Sequence, residues 1–525
     1  MSREHAQSDL LSRLLQLQSR FTWDLQHQDL QDRDLQHRDL QHRDLQHRDL
    51  QDQDLQHQDL QDRDLQDRDL QHQDLDSLST RLQEHIKLQL GQPGAAALSY
   101  SFLAYVRYHQ LRPEEAESLL NQSEEMTREC FGEESERRLV VTYGDLAWLK
   151  YHTGDYTQAP QYCQRVEDIL EKYPTGSPSV LLPEVYGEKG WTYLKFSFKY
   201  YSKAIDCFHK ALELQPDDRE WNAGLAIALY RKESSSLQKG SETESLAIKQ
   251  LRRAVEINPA DGVLLSMLAI RLAADKHQRP EAKDLIERAL STDPDNPHIT
   301  RYVAKYLRNQ GDVDDSIALL QQALQRTSES AFISHQLALC YKRKKIAEHK
   351  GNKTQRWRAE CIRHLNKAVE LKPSFVLALA DLALMYGEEK NFIRANELFQ
   401  QALQILPGSC KSIQQFFHRC YGDFHFYHSK QEADAIAHYS EGLLPRHTWD
   451  QKQCAKKLTQ IAERRLEADD SDGQALALLA LIAQTDGDKK KAEQLYEKAL
   501  DCDSNNQDFL SALLELRLEL ADTKN

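Results

Sequence analysis

An all-α solenoid of paired helices is the fold this sequence predicts, and three observations predict it. Alanines recur at one position of a repeating unit: Ala211, Ala254, Ala289, Ala323, Ala368 and Ala402 are separated by 43, 35, 34, 45 and 34 residues. Five of them are followed five residues later by a proline, at Pro216, Pro259, Pro294, Pro373 and Pro407. The two long steps are the ordinary period with insertions of 9 and 11 residues over a period of 34. A period of about 34, with small residues where two helices cross and proline after the second, is the tetratricopeptide signature. Such a unit cannot bury its apolar face alone, so units stack into a superhelix with an extended concave wall.

The elements follow in order. Residues 1–25 hold an amphipathic N-terminal helix, Asp9-Leu10-Leu11-Ser12-Arg13-Leu14-Leu15, and end in Phe21-Thr22-Trp23. Residues 26–75 are a pentapeptide low-complexity insertion of the form Asp-Leu-Gln-(His/Asp)-(Arg/Gln). On a helix its leucines step round by about 140°, so they form no apolar stripe. The tract is expected to be a solvated helix or a spacer. Its evenly spaced histidines read as solvated imidazoles rather than metal ligands, and neither metal nor cofactor is expected. Residues 76–260 are read as an N-terminal repeat block, 261–407 as a central block and 408–525 as a C-terminal helical block. Segments 232–246 and 343–358 are charged insertions, and 408–470 is aromatic, helical and out of step with the period.

Composition bounds the partners. The net charge is −14, but residues 24–75 hold 15 Asp and 6 Arg, which leaves −14 − (−9) = −5 for the rest. A near-neutral array is compatible with a basic groove, so net charge does not exclude nucleic acid. Nine scattered cysteines without a Cys-x-x-Cys pair indicate a reducing compartment. The longest apolar run, Ala475 to Ala483, is too short to span a bilayer, and the first residues lack a secretory layout. The expectation is a cytoplasmic protein without membrane contact.

No phosphate loop, metalloprotease helix, nucleophile elbow or dinucleotide fingerprint is present in the sequence, so no catalysis is expected. Off-consensus residues point elsewhere. Trp191 with Lys195, Ile227 with Arg231, and Arg301 with Lys305 sit at i,i+4, which places each pair on one helix face. Arg308 lies a turn beyond Lys305, and His335-Gln336 opens the next unit. Cations interleaved with aromatics suit single-stranded nucleic acid, because cations neutralise phosphates while rings stack on bases. The alternative is a protein-binding scaffold in which Trp191 fills a core slot and the arginines snorkel to solvent.

The chain resembles the interferon-induced proteins with tetratricopeptide repeats. The likeness is carried by Phe21-Thr22-Trp23, Phe102-Leu103-Ala104-Tyr105-Val106 and Glu188-Lys189-Gly190-Trp191-Thr192-Tyr193-Leu194-Lys195. It continues through Ala223 to Arg231, Arg301-Tyr302-Val303-Ala304-Lys305-Tyr306, His335 to Tyr341 and Phe424-His425-Phe426. The resemblance implies an antiviral effector whose basic tunnel takes the 5′ end of single-stranded RNA, triphosphorylated or capped, and withholds it from translation. It implies that Arg81, Lys195, Tyr201 and Arg231 meet the 5′ phosphates, and that Trp191, Glu220 and Ile227 form a cap pocket. It also implies that Arg301, Lys305, His335 and Gln336 hold the following nucleotides, and that the chain assembles with itself or with family members. Two departures bear on this: His85 stands where relatives often have glutamine, and Val263 replaces an aromatic of cap-binding relatives, leaving Asp261 as the nearby polar group.

Overall fold

Short polar residues open many of these helices by accepting the otherwise unpartnered first N–H groups. Asp261 accepts from the Val263 and Leu264 amides at 3.0 and 3.1 Å, Ser330 from Ile333 at 3.3 Å, and Asp472 from Ala475 at 3.0 Å. The computed structural model describes residues 3–23, 25, 75–76, 78–83, 85–87, 94–177, 180–233, 244–326, 330–348, 352–409, 411–443 and 448–522. The pentapeptide tract up to residue 74 therefore lies outside the described residues, as does most of the 232–246 insertion. Among the described residues the secondary structure is helical throughout, and no helix is long and apolar enough to cross a membrane. The described cysteines are free thiols.

The chain forms two compact units, residues 1–230 with 246–259, and residues 231–245 with 260–525. In the first, α1 (Arg3–Leu14) precedes the pairs α2 (Ala95–His109) with α3 (Pro113–Phe131) and α4 (Val140–His152) with α5 (Ala159–Lys172). Then come α6 (Pro183–Phe196) with α7 (Tyr201–Leu214), and α8 (Arg219–Glu233) with α9 (Leu246–Ile257). The last residues of α8, from Arg231, belong to the second unit. One apolar core runs through the first unit and takes in Phe102, Leu120, Leu146, Phe208 and Trp221, all fully buried. Gly224 is required where α8 meets α7, because a Cβ there would lie 2.4 Å from the Phe208 ring.

The N-terminal segment docks onto this core. Leu14, Leu17, Trp23 and Leu25 are buried in it, together with Leu75, Leu78 and Leu82 from beyond the tract. Gly144 of α4 permits the approach, since a Cβ would meet the Gln18 carbonyl oxygen at 2.4 Å. Arg20 closes the joint: its guanidinium reaches Asp145 at 2.5 Å and Glu188 at 2.7 Å, and the Ser19 hydroxyl donates to Asp145 at 2.7 Å. Burial alone would draw protons off Arg20, but its two carboxylate neighbours hold the guanidinium above its ordinary range.

The second unit continues with α10 (Gly262–Leu272) and α11 (Arg279–Thr292), then α12 (Pro297–Gln310) and α13 (Val313–Arg326). Next are α14 (Ala331–Ala347) with α15 (Asn352–Leu371), and α16 (Val376–Glu388) with α17 (Phe392–Ile405). It ends with α18 (Lys411–Asp423), α19 (Glu432–Glu441), α20 (Trp449–Ala468), α21 (Gly473–Thr485), α22 (Lys489–Cys502) and α23 (Gln507–Asp522). Of the insertion at 343–358, residues 343–347 lie in α14 and 352–358 in α15, helices of 17 and 20 residues. In the irregular 408–470 region a π-helical turn, Phe424–Ser429, directly follows α18 and ends at Lys430 in the left-handed conformation, which breaks the helix before α19.

Candidate nucleic-acid interface

Helix α12 starts at Asn296, whose side chain accepts from His298 and Ile299, with Pro297 in the first turn. One face, Ile299, Val303, Ala304 and Tyr306, is buried. Arg301, Lys305 and Arg308 recur at steps of four and three on another face and remain half-buried. The Arg301 guanidinium lies 4.8 Å from the centre of the Tyr302 ring and 5.7 Å from that of Phe332. Burial would raise the Tyr302 phenol, yet the charges of Arg301 and Arg231, a hydrogen bond from Arg301 and the Lys305 charge draw it below its ordinary value. Burial pushes Lys305 down; Tyr302 opposes this, while Arg308, Arg301 and Arg271 add to it.

These shifts describe crowded cations: Arg301, Arg231 and Lys305 act on the Tyr302 phenol, and Arg308, Arg301 and Arg271 on the Lys305 ammonium. Arg231, Arg301, Lys305 and Arg308 form no ion pair with a carboxylate among the described residues. Uncompensated, half-buried positive charge is costly, and an anion supplied from outside relieves it. Phosphate is the anion whose geometry guanidinium groups match best.

The neighbouring helices extend the set. Arg308 donates to the Gln336 side-chain oxygen at 2.7 Å. His335 is only 5 % exposed; its Nε2 lies 3.2 Å from Asp381 Oδ2, and its ring packs edge-on to Phe375 at 4.8 Å. Lys342 holds the other Asp381 oxygen at 2.5 Å. Burial would raise the Asp381 carboxyl, but Lys342 and His335 pull it far below the usual carboxylate range. Sequence reasoning missed Asp381 as the partner of both His335 and Lys342. The available signal was a lone aspartate inside the apolar run Leu377-Ala378-Leu379-Ala380-Asp381-Leu382-Ala383.

In the first unit Arg81 donates to the Phe196 carbonyl at 3.1 Å, and Lys195, one residue earlier on α6, reaches the Ser99 hydroxyl at 2.9 Å. Arg81 thus anchors on the C-terminal end of α6, while Lys195 reaches from that end to α2. Tyr201 opens α7 and is half-buried against the core. Trp191 packs edge-on to Phe208 at 5.4 Å, and its indole N–H is buried without an acceptor. Glu220 is paired with Arg138 at 3.0 Å, and burial raises its carboxyl against the pull of that guanidinium. A cavity of about 30 Å³, room for about one water, is lined by Glu220, Arg138, Glu184 and Glu188; Trp191 and Ile227 do not line it. In the second unit Asp261 caps α10, accepting from the Val263 and Leu264 amides.

The tetratricopeptide repeat family matches residues 95–172, 183–218, 267–331 and 473–506. The antiviral innate immune response effector IFIT1 of Homo sapiens is 33 % identical over 413 residues, covering 76 % of this chain and 86 % of that protein. Interferon-induced protein with tetratricopeptide repeats 2 of Mus musculus is 30 % identical, covering 76 % and 85 %. Among solved structures, the human IFIT1 dimer with m7Gppp-AAAA matches at a TM-score of 0.70 and 28 % identity, covering 94 % of this chain and 99 % of that one. The human IFIT1 dimer with PPP-AAAA matches at a TM-score of 0.68 and 29 % identity with the same coverage. A repeating helical pair, its phased alanines and prolines, and this extent of identity place the chain in the family of interferon-induced proteins with tetratricopeptide repeats.

Proposed function

We propose that this chain is an antiviral effector that grips the 5′ end of single-stranded RNA, triphosphorylated or capped, and withholds it from translation in the cytoplasm. The observation that carries the reading is the set of cations around Tyr302 and Lys305, namely Arg231, Arg301, Lys305 and Arg308, which form no ion pair with a carboxylate among the described residues. Human IFIT1, solved with m7Gppp-AAAA and with PPP-AAAA, supplies the ligand class. In this reading Arg81, Lys195, Tyr201 and Arg231 take the 5′ phosphates, and Trp191, Glu220 and Ile227 flank a cap. Arg301, Lys305, His335 and Gln336 hold the next nucleotides, with Asp381 fixing the His335 ring. Losing the Arg231 fork costs on the order of 2–5 kcal/mol. Titration of 5′-triphosphate RNA against Arg231→Glu tests it: an affinity equal to that of the unaltered chain removes Arg231 from the site and the reading with it.

Self-association accompanies this activity. Leu510, Leu514 and Leu518 are 40, 52 and 68 % exposed at successive i,i+4 positions of α23, a stripe that solvent alone does not favour. Human IFIT1 is a dimer with m7Gppp-AAAA, and an IFIT1 variant with two leucines changed to glutamate is monomeric. The occupant proposed for the stripe is a second copy of this chain.

A further inference from the structure

The net charge of the chain is negative, yet Lys342 to Arg358 holds eight Lys or Arg residues and one acid, Glu348. This stretch turns the hairpin between α14 and α15. Several of its cations are neutralised: Lys342 pairs with Asp381, while Lys345 and Arg358 both pair with Glu388 of α16. Others are not. Arg343 and Arg356 are exposed and have no carboxylate partner among the described residues. Lys344 is paired, but with Asp314, a carboxylate whose side chain is 81 % exposed.

Lys344 and Arg356 converge on one aromatic ring. The Lys344 ammonium lies 4.5 Å, and the Arg356 guanidinium 5.0 Å, from the centre of the Trp357 ring. Trp357 is half-buried and backed by the Tyr341 ring, stacked at 5.8 Å. Cations held over an aromatic ring bring together two of the elements of sequence-tolerant single-strand binding. The position on α14 gives the cluster its connection to the candidate site. Arg343 follows Gln336 by seven residues, two turns and about 10 Å along the same helix, on nearly the same face. At about 3.4 Å or more per nucleotide, that spacing is crossed by two or three nucleotides.

We propose that Arg343, Lys344, Arg356 and Trp357 form a second contact for the same RNA, engaging the strand downstream of the nucleotides at Gln336 without reading its sequence. The proposal rests on the RNA-binding reading of the candidate interface. It gives the basic residues of the insertion a use: the ends of α14 and α15 carry phosphate-neutralising groups to a fixed place.

The test compares 5′-triphosphate oligoadenylates of four and about 20 nucleotides, bound by the full chain and by an Arg343→Glu/Arg356→Glu variant. The expected result is an unchanged four-nucleotide affinity, an about tenfold loss for the long strand near physiological salt, and a salt slope shallower by about 1.4 for two lost phosphate contacts. The milder Arg343→Gln/Arg356→Gln variant should show the same pattern at smaller amplitude, which guards against a folding defect. A long-strand affinity that does not change overturns the proposal, as do equal losses at both lengths. So does a hairpin that retains anionic phosphatidylserine vesicles while leaving the long strand untouched. If the unaltered chain binds neither RNA, the underlying RNA reading fails. If it binds both and only Arg231→Glu weakens them, that reading stands and the hairpin contact alone is lost.

Discussion

Arg20 and Asp145 form a buried ion pair, Nη1 to Oδ2 at 2.5 Å, although the whole pentapeptide tract lies between them in the chain. Both side chains are at most 1 % exposed, and the Arg20 backbone amide also donates to Asp145, at 2.8 Å. With Glu188 on the other side of the guanidinium, this joint fixes the N-terminal segment to α4 and α6 whatever the inserted length.

Removing one member of such a group is expected to be far more damaging than its surface counterpart. Arg20→Met leaves two buried carboxylates without their counter-charge and should destabilise the first unit by about 3–5 kcal/mol. Arg13→Met, which loses only the exposed pair with Glu167, should cost about 0–1 kcal/mol. Urea unfolding midpoints of the two variants measure the difference. Equal midpoints would remove the joint from any role in stability.

The repeat itself was legible because its causes are local. Ala211, Ala254, Ala289, Ala368 and Ala402 are all fully or nearly fully buried at helix crossings, and each is followed by the proline that ends its pair. Ala323, the one alanine without that proline, is only half-buried. The cations of α12 were legible for the same reason, through i,i+4 spacing. Long-range pairings were not. Arg20 with Glu188, Arg138 with Glu220 and His335 with Asp381 join residues 168, 82 and 46 positions apart, and no period in one sequence links them. The length of α15 was hidden by its charge, since a basic stretch without an apolar stripe looks like a loop.

Salt dependence separates phosphate neutralisation from other binding. If Arg231, Arg301, Lys305 and Arg308 each neutralise one phosphate of a short single strand, log K should fall with log salt at a slope of about −3. Arg301→Ala should lower affinity and flatten that slope by about 0.7, whereas Tyr302→Phe should keep the slope. Fluorescence anisotropy over a salt series reads both. A slope near zero would mean that these cations do not meet phosphate.

The leucine stripe of α23 predicts a separable change in assembly. Each leucine removed from water is worth about 1.5–3 kcal/mol, so Leu514→Glu with Leu518→Glu should weaken self-association by more than about a hundredfold. Phe509, Leu513 and Leu516, the buried face of the same helix, are untouched by these changes, so the fold should persist. Sedimentation velocity should show the variant as a monomer that still binds 5′-triphosphate RNA. A variant that sediments as the unaltered chain does would exclude this face from the contact.

Acid should loosen the C-terminal region through two histidines. His418 and His438 face each other with their Nδ1 atoms 3.3 Å apart, and Tyr421 stacks on His438 at 4.1 Å. Burial lowers His418 to about 4. Burial, with the neighbouring His418 and His425 outweighing Asp434, lowers His438 to about 4 as well. In the unfolded chain both titrate near about 6.5. Between these values the unfolded state binds more protons than the folded one, so stability is complete above about 6.5 and declines as pH falls toward about 4. The loss should reach on the order of 2–3 kcal/mol per histidine at the acid end. Unfolding midpoints measured from about pH 7 to about pH 4.5 should therefore drop more steeply for the unaltered chain than for His418→Asn/His438→Asn. Parallel curves would show that the two rings titrate alike in the folded and unfolded chain, which their mutual approach and burial oppose.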